Sequence, residues 1–511
     1  MKILYINPPQ IRAGLDYVLK GHPLNLLTIA ATVPQHKAKI IDFKVHNYTE
    51  TQLKSEFIRF DIVAITSLTP QIYSALHIAE IAKSTGCKTI MGGYHPTLDP
   101  EFVVNNPSVD YVIRGEGENT FPELIDYIAG NNLKKSKSEI NGISYVDNNG
   151  KIIHTPDRYL EPDLDNLPKP RRDLIDYEDY SLIASLETSR GCPFNCKFCC
   201  INKMWQAPCN KLRYRTKSVK RIIQEIYDIS WDNNFVFFVD DNFTINLNRT
   251  KKILKAIIKS GVSSKLYFAC QSRVDTLYRN PSLIDLMHKA GMRQVFLGIE
   301  SVHQQSLDKM NKQNTTPYMT KKVVKMLQDH GICIFGGVII GYPGETKKMV
   351  RETIRFIKDL ELDFVQFTPI TAFPGTDFFD EMEKQGKIKS RNYKYYDLFH
   401  SMMETDELTE KELHQLVLEA YSYYYFGMDW LLLLTKRYMN PFGRYNWMLS
   451  KIPKVARKVI VSGLQMFRNQ GISSNTVSSN LKSIKSEVKL QKEKDSFQKE
   501  VEDYIIQEVK R

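Results

Sequence analysis

Arg190 to Cys200 reads RGCPFNCKFCC, and this one loop holds four of the chain's eight cysteines. Cys192, Cys196 and Cys199 follow the spacing C-x-x-x-C-x-x-C. A structural zinc site closes its tetrahedron with ligands from two chain segments, usually as two separated pairs. Here Cys87, Cys209, Cys270 and Cys333 lie far apart and form no second C-x-x-C. Three thiolates on one loop suit three corners of a 4Fe–4S cube, whose usual complement is four cysteines. The remaining iron is then open to a substrate or cofactor, and an open coordination position marks a reactive metal. Two alternatives stand beside this reading. Cys200 as fourth ligand would have to point at the same metal as its immediate neighbour, which is sterically awkward, and the loop could hold adventitious zinc.

The loop follows a strand-like run, LIASLETSRG, that opens a repeating series. FVFFVDDNF, LYFACQSR, QVFLGIES, CIFGGVIIGYP and FVQFTPITAFPG read as further strands, separated by helical runs such as SVKRIIQEIYDIS and MTKKVVKMLQDHG. Six strand–helix units over residues 181–386 predict a curled parallel sheet, a partial barrel with its chemistry at the carboxyl-terminal strand ends. Upstream, residues 1–135 alternate KILYINPP, KIIDF, DIVAITSL, CKTIMGGYHP and DYVIRGEG with helical stretches, which predicts an α/β doubly wound parallel sheet. Its strand ends carry Ser67, Gly92, Gly93, Gly115, Glu116 and Gly117, where small residues let backbone approach a large flat ligand. Residues 136–180 read as a connector with a hairpin turning at Asn149-Gly150. Residues 387–511 lose the strand rhythm and read as a helical region ending in a charged tail.

The 42% hydrophobic and 25% charged content is that of a globular protein. The cysteine pattern excludes a secreted disulfide framework, no run approaches the roughly twenty apolar residues of a membrane span, and the N-terminus lacks a leader pattern. A reducing, cytoplasmic setting is the expectation. A formal charge of +12 points toward an anionic partner or toward lysines spread over solvated faces.

With these features in order, the central region resembles the radical S-adenosylmethionine superfamily. TSRGCPFNCKFC matches its cluster loop, with Phe198 before the last cysteine, and FVFFVDDNFT, QSRVD, FLGIES and GGVIIGYPGET follow in the family's order. The N-terminal GGYHPT and DYVIRGEGENTFPEL are similar to its cobalamin-binding branch, which includes methyltransferases acting on unactivated carbon and the anaerobic magnesium-protoporphyrin ester cyclases. The resemblance implies a flavodoxin-like cobalamin-binding domain, a 4Fe–4S cluster on Cys192, Cys196 and Cys199, and S-adenosylmethionine cleaved to a 5′-deoxyadenosyl radical. It implies Asp241 or Asp240 on the cofactor's amine, Arg273 on its carboxylate, Glu300 and Ser301 as further polar contacts, and Gly337, Ile339 and Gly341 beside the adenine. The Asp-x-His-x-x-Gly sequence that supplies an axial histidine in many cobalamin proteins is absent. His95 and His22 are candidates by position alone.

The activity so implied is functionalisation of an unactivated carbon, with C-methylation foremost and cyclisation or rearrangement as the alternative. A radical enzyme whose first domain no longer binds cobalamin is a second reading. A non-enzymatic electron carrier would be expected to cap every iron with cysteine, and no recognisable nucleic-acid module is present. The expected partners are a small-molecule substrate and an electron donor such as a ferredoxin or flavodoxin. Lys451, Lys454, Arg457, Lys458 and Arg468 alternate with apolar residues as in a helix lying on an anionic membrane surface, or in one docked on its own domain. The segment YSYYYFGMDWLLLL reads as a hydrophobic substrate entrance or as core. Were both functional readings to hold, the substrate would be lipid or polycyclic.

Overall fold

A computed structural model describes residues 1–10, 20–131, 136–180, 183–205, 213–229, 235–312, 314–425 and 428–438. Two sheets organise them. In the first, β1 (Lys2–Asn7), β2 (Lys37–Asp42), β3 (Ile62–Thr66), β4 (Lys88–Gly92) and β5 (Tyr111–Ile113) run parallel in the order β2-β1-β3-β4-β5. This is the flavodoxin-like order. The crossovers carry α1 (Leu24–Ala31), α2 (Glu50–Phe57), α3 (Ile72–Ser84), α4 (Tyr94–Leu98), α5 (Pro100–Val104) and α6 (Gly117–Ile128). Alternation along each strand sends side chains to two cores. Leu4, Ile6, Ile41, Val63 and Ile65 face α2 and α3, while Ile3, Tyr5, Ile40, Ala64 and Ile90 face α1 and α6. The hairpin β6 (Ile143–Val146) and β7 (Ile152–His154) adds antiparallel to β5. The hairpin of the predicted connector therefore completes the edge of this sheet.

The second sheet begins with β8 (Ile183–Leu186). A short antiparallel pair follows, β9 (Ser189–Arg190) with β10 (Arg215–Thr216). Between these two lies α7 (Ile201–Met204), and after them α8 (Val219–Asp228). Then come β11 (Phe235–Phe238), α9 (Leu247–Lys259), β12 (Tyr267–Arg273), α10 (Val274–Arg279), α11 (Pro281–Lys289), β13 (Met292–Glu300), α12 (Gln304–Lys309), α13 (Pro317–Asp329), β14 (Cys333–Ile340), α14 (Lys347–Asp359) and β15 (Phe364–Pro369). The parallel order β15-β14-β13-β12-β11-β8 is the six-stranded partial barrel. Ser218, Asn246, Thr316 and Thr346 cap α8, α9, α13 and α14 through their side chains, each contributing about 1 kcal/mol. All the strands therefore point their carboxyl ends, and the loops after them, toward one mouth.

After α15 (Asp377–Lys384) the chain departs from the helical reading. Residues 387–409 run as irregular backbone, with Ile388 bridging to Met403, before α16 (Glu410–Tyr425) and α17 (Met428–Tyr438). Tyr393 and Tyr396 in that stretch enter the first sheet's core, and Tyr393 Oη donates to Asp99 Oδ2 at 2.8 Å. Both rings sit at a short helical turn, Tyr393–Tyr395, that faces this core. The tyrosine-rich segment is core only in part, since Tyr423, Leu431 and Leu432 are exposed. Tyr421 and Tyr424 are buried, Tyr424 Oη donates to Leu362 O at 2.6 Å, and Trp430 Nε1 donates to Asp363 O at 3.1 Å. The basic residues Lys451, Lys454, Arg457, Lys458 and Arg468, and Cys209, lie outside the described residues. Among the described residues no helix is long and apolar enough to cross a membrane.

Candidate active site between the two sheets

The cysteine loop leaves β9 and is held at its far side by the segment after α12. Lys197 N donates to Met310 O at 3.2 Å, and Asn311 Nδ2 donates to Asn195 O at 2.7 Å. Phe198 packs on the apolar cluster of Met310, Ile339 and Tyr342. Arg273, at the end of β12, lies 3.9 Å over the Phe194 ring centroid and sets Nη1 3.8 Å from Cys196 Sγ, while its Nε donates to Asp275 Oδ1 at 2.9 Å. Burial pushes the Cys192 thiol up to about 11 and the Cys199 thiol higher still. Bound iron cations would offset that burial by favouring thiolate. Among the described residues no three His, Cys, Asp or Glu side chains gather around a single metal position. Three thiolates on one loop are the donor set of a cube with one open corner. Cys200 starts α7, its carbonyl accepting from Lys203 N and Met204 N.

The two aspartates after β11 part company. Asp240 is buried and accepts from Thr188 N at 2.6 Å, from Ser189 Oγ at 2.7 Å and from Thr188 Oγ1. Its carboxylate fixes the backbone ahead of the cysteine loop. Asp241 Oδ2 accepts from Gly191 N and Trp205 Nε1, both at 3.0 Å. Burial lifts its carboxyl to about 6, against the two hydrogen bonds that lower it.

Asp241 and Trp205 also form one wall of a crevice of about 390 Å³. Its opposite wall is the strand-end loops of the first sheet, with Gly92, Gly93, Gly115, Glu116 and Gly117. Ser67 is buried beneath, its hydroxyl donating to Leu68 O at 2.9 Å. A Cβ built on Gly115 meets nothing within 4 Å, so that turn faces open space. Such a cradle suits a broad planar corrinoid. Tyr94 lies between the crevice and the cysteine loop, and burial with the Asp241, Cys200 and Cys199 charges holds its phenol protonated. Of the candidate histidines, His95 is fully buried against Tyr393, ring centroids 4.6 Å apart, and is absent from the lining. His22 does line the crevice, with Nδ1 3.2 Å from Arg172 Nη1 and its ring between Tyr177 and Tyr180. Burial lowers each histidine to about 3, so both imidazoles are neutral at neutral pH.

The remaining predicted residues sit at the ends of β13 and β14. Glu300 has a left-handed φ of 67° and pairs with buried Lys312. Ser301 Oγ donates to Glu345 Oε1 at 2.7 Å, and Glu345 Oε2 accepts from Gly341 N at 3.2 Å. Ser301 and Gly341 are thus tied to each other through one buried carboxylate. A Cβ at Gly341 would lie 2.0 Å from Leu413 Cδ2, so this glycine is set by the approach of α16. Ile339 touches the Phe198 cluster, and a Cβ at Gly337 would meet Phe296 Cζ at 3.0 Å.

The sequence reading missed an ionic knot that joins the two walls. Arg190 donates from Nε to Glu187 Oε1 at 2.9 Å, from Nη1 to Glu116 Oε1 at 2.9 Å and from Nη2 to Glu118 Oε1 at 2.6 Å. Arg215 Nη1 meets the same Glu116 at 2.8 Å. Glu116 is therefore a tie between the sheets as well as a crevice residue. Trp205 faces both guanidinium groups at 5.7 Å. The one available signal was the arginine immediately before the cysteine loop; two of its three partners lie 72 and 74 residues away.

Comparison with known proteins agrees with this geometry. The model of the radical SAM superfamily matches residues 186–357, and that of the B12 binding domain matches residues 13–125. An uncharacterized methyltransferase of Pyrococcus horikoshii is 34% identical over 83% of this chain and 92% of its own length. The anaerobic magnesium-protoporphyrin IX monomethyl ester cyclase of Rubrivivax gelatinosus is 27% identical over 84% of this chain and 78% of that protein. Among solved structures, the radical S-adenosylmethionine methyltransferase TsrM of Kitasatospora setae, with cobalamin and a 4Fe–4S cluster bound, shares the fold. Its TM-score is 0.61 at 17% identity, over 75% of this chain and 78% of that one. A three-cysteine loop at a partial-barrel mouth, facing the strand ends of a doubly wound sheet across one crevice, belongs to a cobalamin-dependent radical S-adenosylmethionine enzyme, and it is to that family that this chain belongs.

Proposed function

We propose that the chain methylates an unactivated carbon of a small organic substrate. Cys192, Cys196 and Cys199 would hold the cluster, Asp241 and Arg273 would bind the amine and carboxylate of S-adenosylmethionine, and the glycine-lined loops of the first sheet would hold the corrinoid. When bound, the cluster supplies the electron that breaks the sulfonium bond, and the corrinoid carries the methyl group. The protein's own part is placement. Asp241 offers a carboxylate to a cationic amine, a charge-assisted pair, and Trp205 and Gly191 fix that carboxylate. Arg273 presents a fork suited to a carboxylate, while Tyr94 and Trp205 limit water at the boundary between the sites. The observation that carries the reading is the single crevice lined both by the first sheet's strand ends and by Asp241 and Trp205 beside the cysteine loop. The methyltransferase relative is also the more similar of the two enzymes compared.

The test is anaerobic reconstitution with iron, sulfide and cobalamin, desalting, then reduction with methyl-labelled S-adenosylmethionine and candidate substrates. Methylation is expected to yield 5′-deoxyadenosine and S-adenosylhomocysteine together, with label in the product. 5′-Deoxyadenosine without S-adenosylhomocysteine would favour cyclisation instead. A reconstituted protein that keeps no corrinoid would overturn the corrinoid part of the reading.

Asp241 gives this reading a pH dependence. Its carboxyl titrates near 6, and only the ionised form attracts the amine. Affinity for S-adenosylmethionine should be level above pH 7 and should fall, by up to about tenfold per unit, as pH drops below 6. Asp241→Asn should bind roughly ten- to a hundredfold more weakly at pH 8 and lose the acid-side slope. Equilibrium dialysis of labelled cofactor measures both, and an unchanged slope in the variant would remove Asp241 from the amine.

A further inference from the structure

The cysteine loop shows one face to solvent. Pro193, Asn195 and Lys197 are exposed, while Cys192, Phe194, Cys196 and Phe198, which alternate with them, are half-buried. Behind the loop Arg273 lies over the Phe194 ring, and Tyr94 stands between the loop and the crevice. Lys197 directly follows Cys196, so a protein seated on the outer face is one residue from a thiolate of the candidate cluster. None of the exposed loop residues lines the crevice.

This face is basic. The bonds from Lys197 N to Met310 O and from Asn311 Nδ2 to Asn195 O set exposed Lys309 and Asn311, at the end of α12, beside the loop. Lys309 Nζ reaches only the Pro343 carbonyl, at 3.4 Å, and among the described residues the Lys197 ammonium meets no carboxylate. The acids nearby are occupied. Asp308 Oδ1 accepts from Gln304 Nε2 at 2.9 Å, and Asp377 pairs with Lys203 at 2.7 Å. Two uncompensated ammonium groups over a projecting loop attract a surface rich in carboxylates.

We propose that this face docks a small acidic electron-carrier protein, which reduces the cluster from there. The assignment rests on the cluster reading above. One electron passes per encounter: the carrier is oxidised by one electron, the cluster is reduced by one, and no atom is transferred. The net charge of +12 draws an acidic partner toward the whole molecule, while Lys197 and Lys309 set where it stops. Charges at the rim of such an interface act chiefly on the association rate and its salt dependence.

The test uses the full-length protein reconstituted with iron and sulfide, and reduced flavodoxin as the carrier, with cluster reduction followed by anoxic stopped-flow absorbance. Lys197→Glu combined with Lys309→Glu is expected to lower the second-order rate constant by about tenfold or more at low salt. The steep fall that the wild type shows as salt rises should flatten in this variant. Reduced methyl viologen, a small cation that needs no docking face, should reduce the variant no more slowly than the wild type. Lys255 and Lys259 are also exposed, toward the end of α9 that leads into the start of β12, away from the mouth. Lys255→Glu with Lys259→Glu makes the same change of charge there and should keep the flavodoxin rate within about threefold. Carbodiimide coupling, with no reductant present, gives a second readout: flavodoxin carboxylates are expected to cross-link to Lys197 or Lys309. An unchanged flavodoxin rate in the first variant, an equal loss in the α9 variant, or cross-links confined to other lysines would each overturn the docking face. An equal loss with methyl viologen would place the effect on the cluster and overturn it too. A reconstituted wild type with no reducible cluster would instead overturn the reading beneath the proposal.

Discussion

Cys196→Ala is expected to lower reductive release of 5′-deoxyadenosine by at least about three orders of magnitude, equivalent to about 4 kcal/mol of barrier. The size follows from the count of ligands. With three thiolates on one loop there is no spare, and the neighbouring thiol that might substitute is poorly placed. Cys200 is the N-cap of α7, its carbonyl taken up by Lys203 N and Met204 N, and burial raises its thiol to about 11. Moving it to a cluster corner would unwind that turn. Cys200→Ala should therefore retain its iron and its turnover, and the contrast between the two variants separates loss of a ligand from general damage to the loop. Iron and sulfide content, with electron paramagnetic resonance of the reduced cluster, are the direct measurements. A Cys196→Ala protein that still binds four irons and cleaves the cofactor would remove these three cysteines from the proposal. So would a Cys200→Ala protein that has lost its cluster.

The contrast also shows which parts of the molecule short-range patterning could reveal. Strand positions and crossover helices were readable because parallel strands buried on both faces are nearly continuous apolar runs, as in IVAIT of β3 or CIFGGVII of β14. The cysteine loop was readable because all its donors are local. The adjacent aspartates were not separable by pattern. Neighbouring residues in extended chain point to opposite sides, so one of the pair had to turn inward, and only the contact with Thr188 and Ser189 decides that it is Asp240. Gly341 was read as a place for adenine, whereas Leu413 on α16 occupies the space its side chain would fill. Tyr393 reaches Asp99 across 294 residues, a contact in the stretch 387–409 that no local pattern announces. Each miss is a long-range contact overriding a local preference.

Arg190→Met is expected to destabilise the protein by about 3–5 kcal/mol, the range for stripping a buried charge of its partner. Arg190 uses Nε, Nη1 and Nη2 on three different carboxylates, and its side chain is only 7% exposed, with Glu116 at 7% and Glu118 at 8%. Burial opposes the charge of this arginine, yet Glu118, Glu187 and Glu116 together hold it well above its ordinary range. Methionine matches the volume and removes the counter-charge, so Glu118 and Glu187 remain buried without a guanidinium. In the wild type, burial tends to raise the Glu118 carboxyl, but the Arg190 charge holds it below the usual glutamate range. Its contribution is present above the unfolded value near 4.5 and fades as pH falls. In the variant the same carboxyl would titrate above 4.5, and its penalty would grow as pH rises through that range. The gap in unfolding midpoint between the two proteins should thus be largest at pH 7–8 and narrow toward pH 5. Adding Glu118→Gln and Glu187→Gln to Arg190→Met should recover much of the loss, because replacing a buried ion pair throughout is far less costly than breaking it. Corrinoid retention should not recover in parallel. The Gly115–Gly117 turn is anchored to the cysteine loop through Glu116 and Arg190, and uncharged side chains there leave that distance unfixed. Thermal unfolding across pH 5–8, paired with corrinoid content after desalting, tests both halves. A pH-independent gap would reject the electrostatic account, and full corrinoid retention by the stabilised triple variant would reject the knot as the element that spaces the two sites.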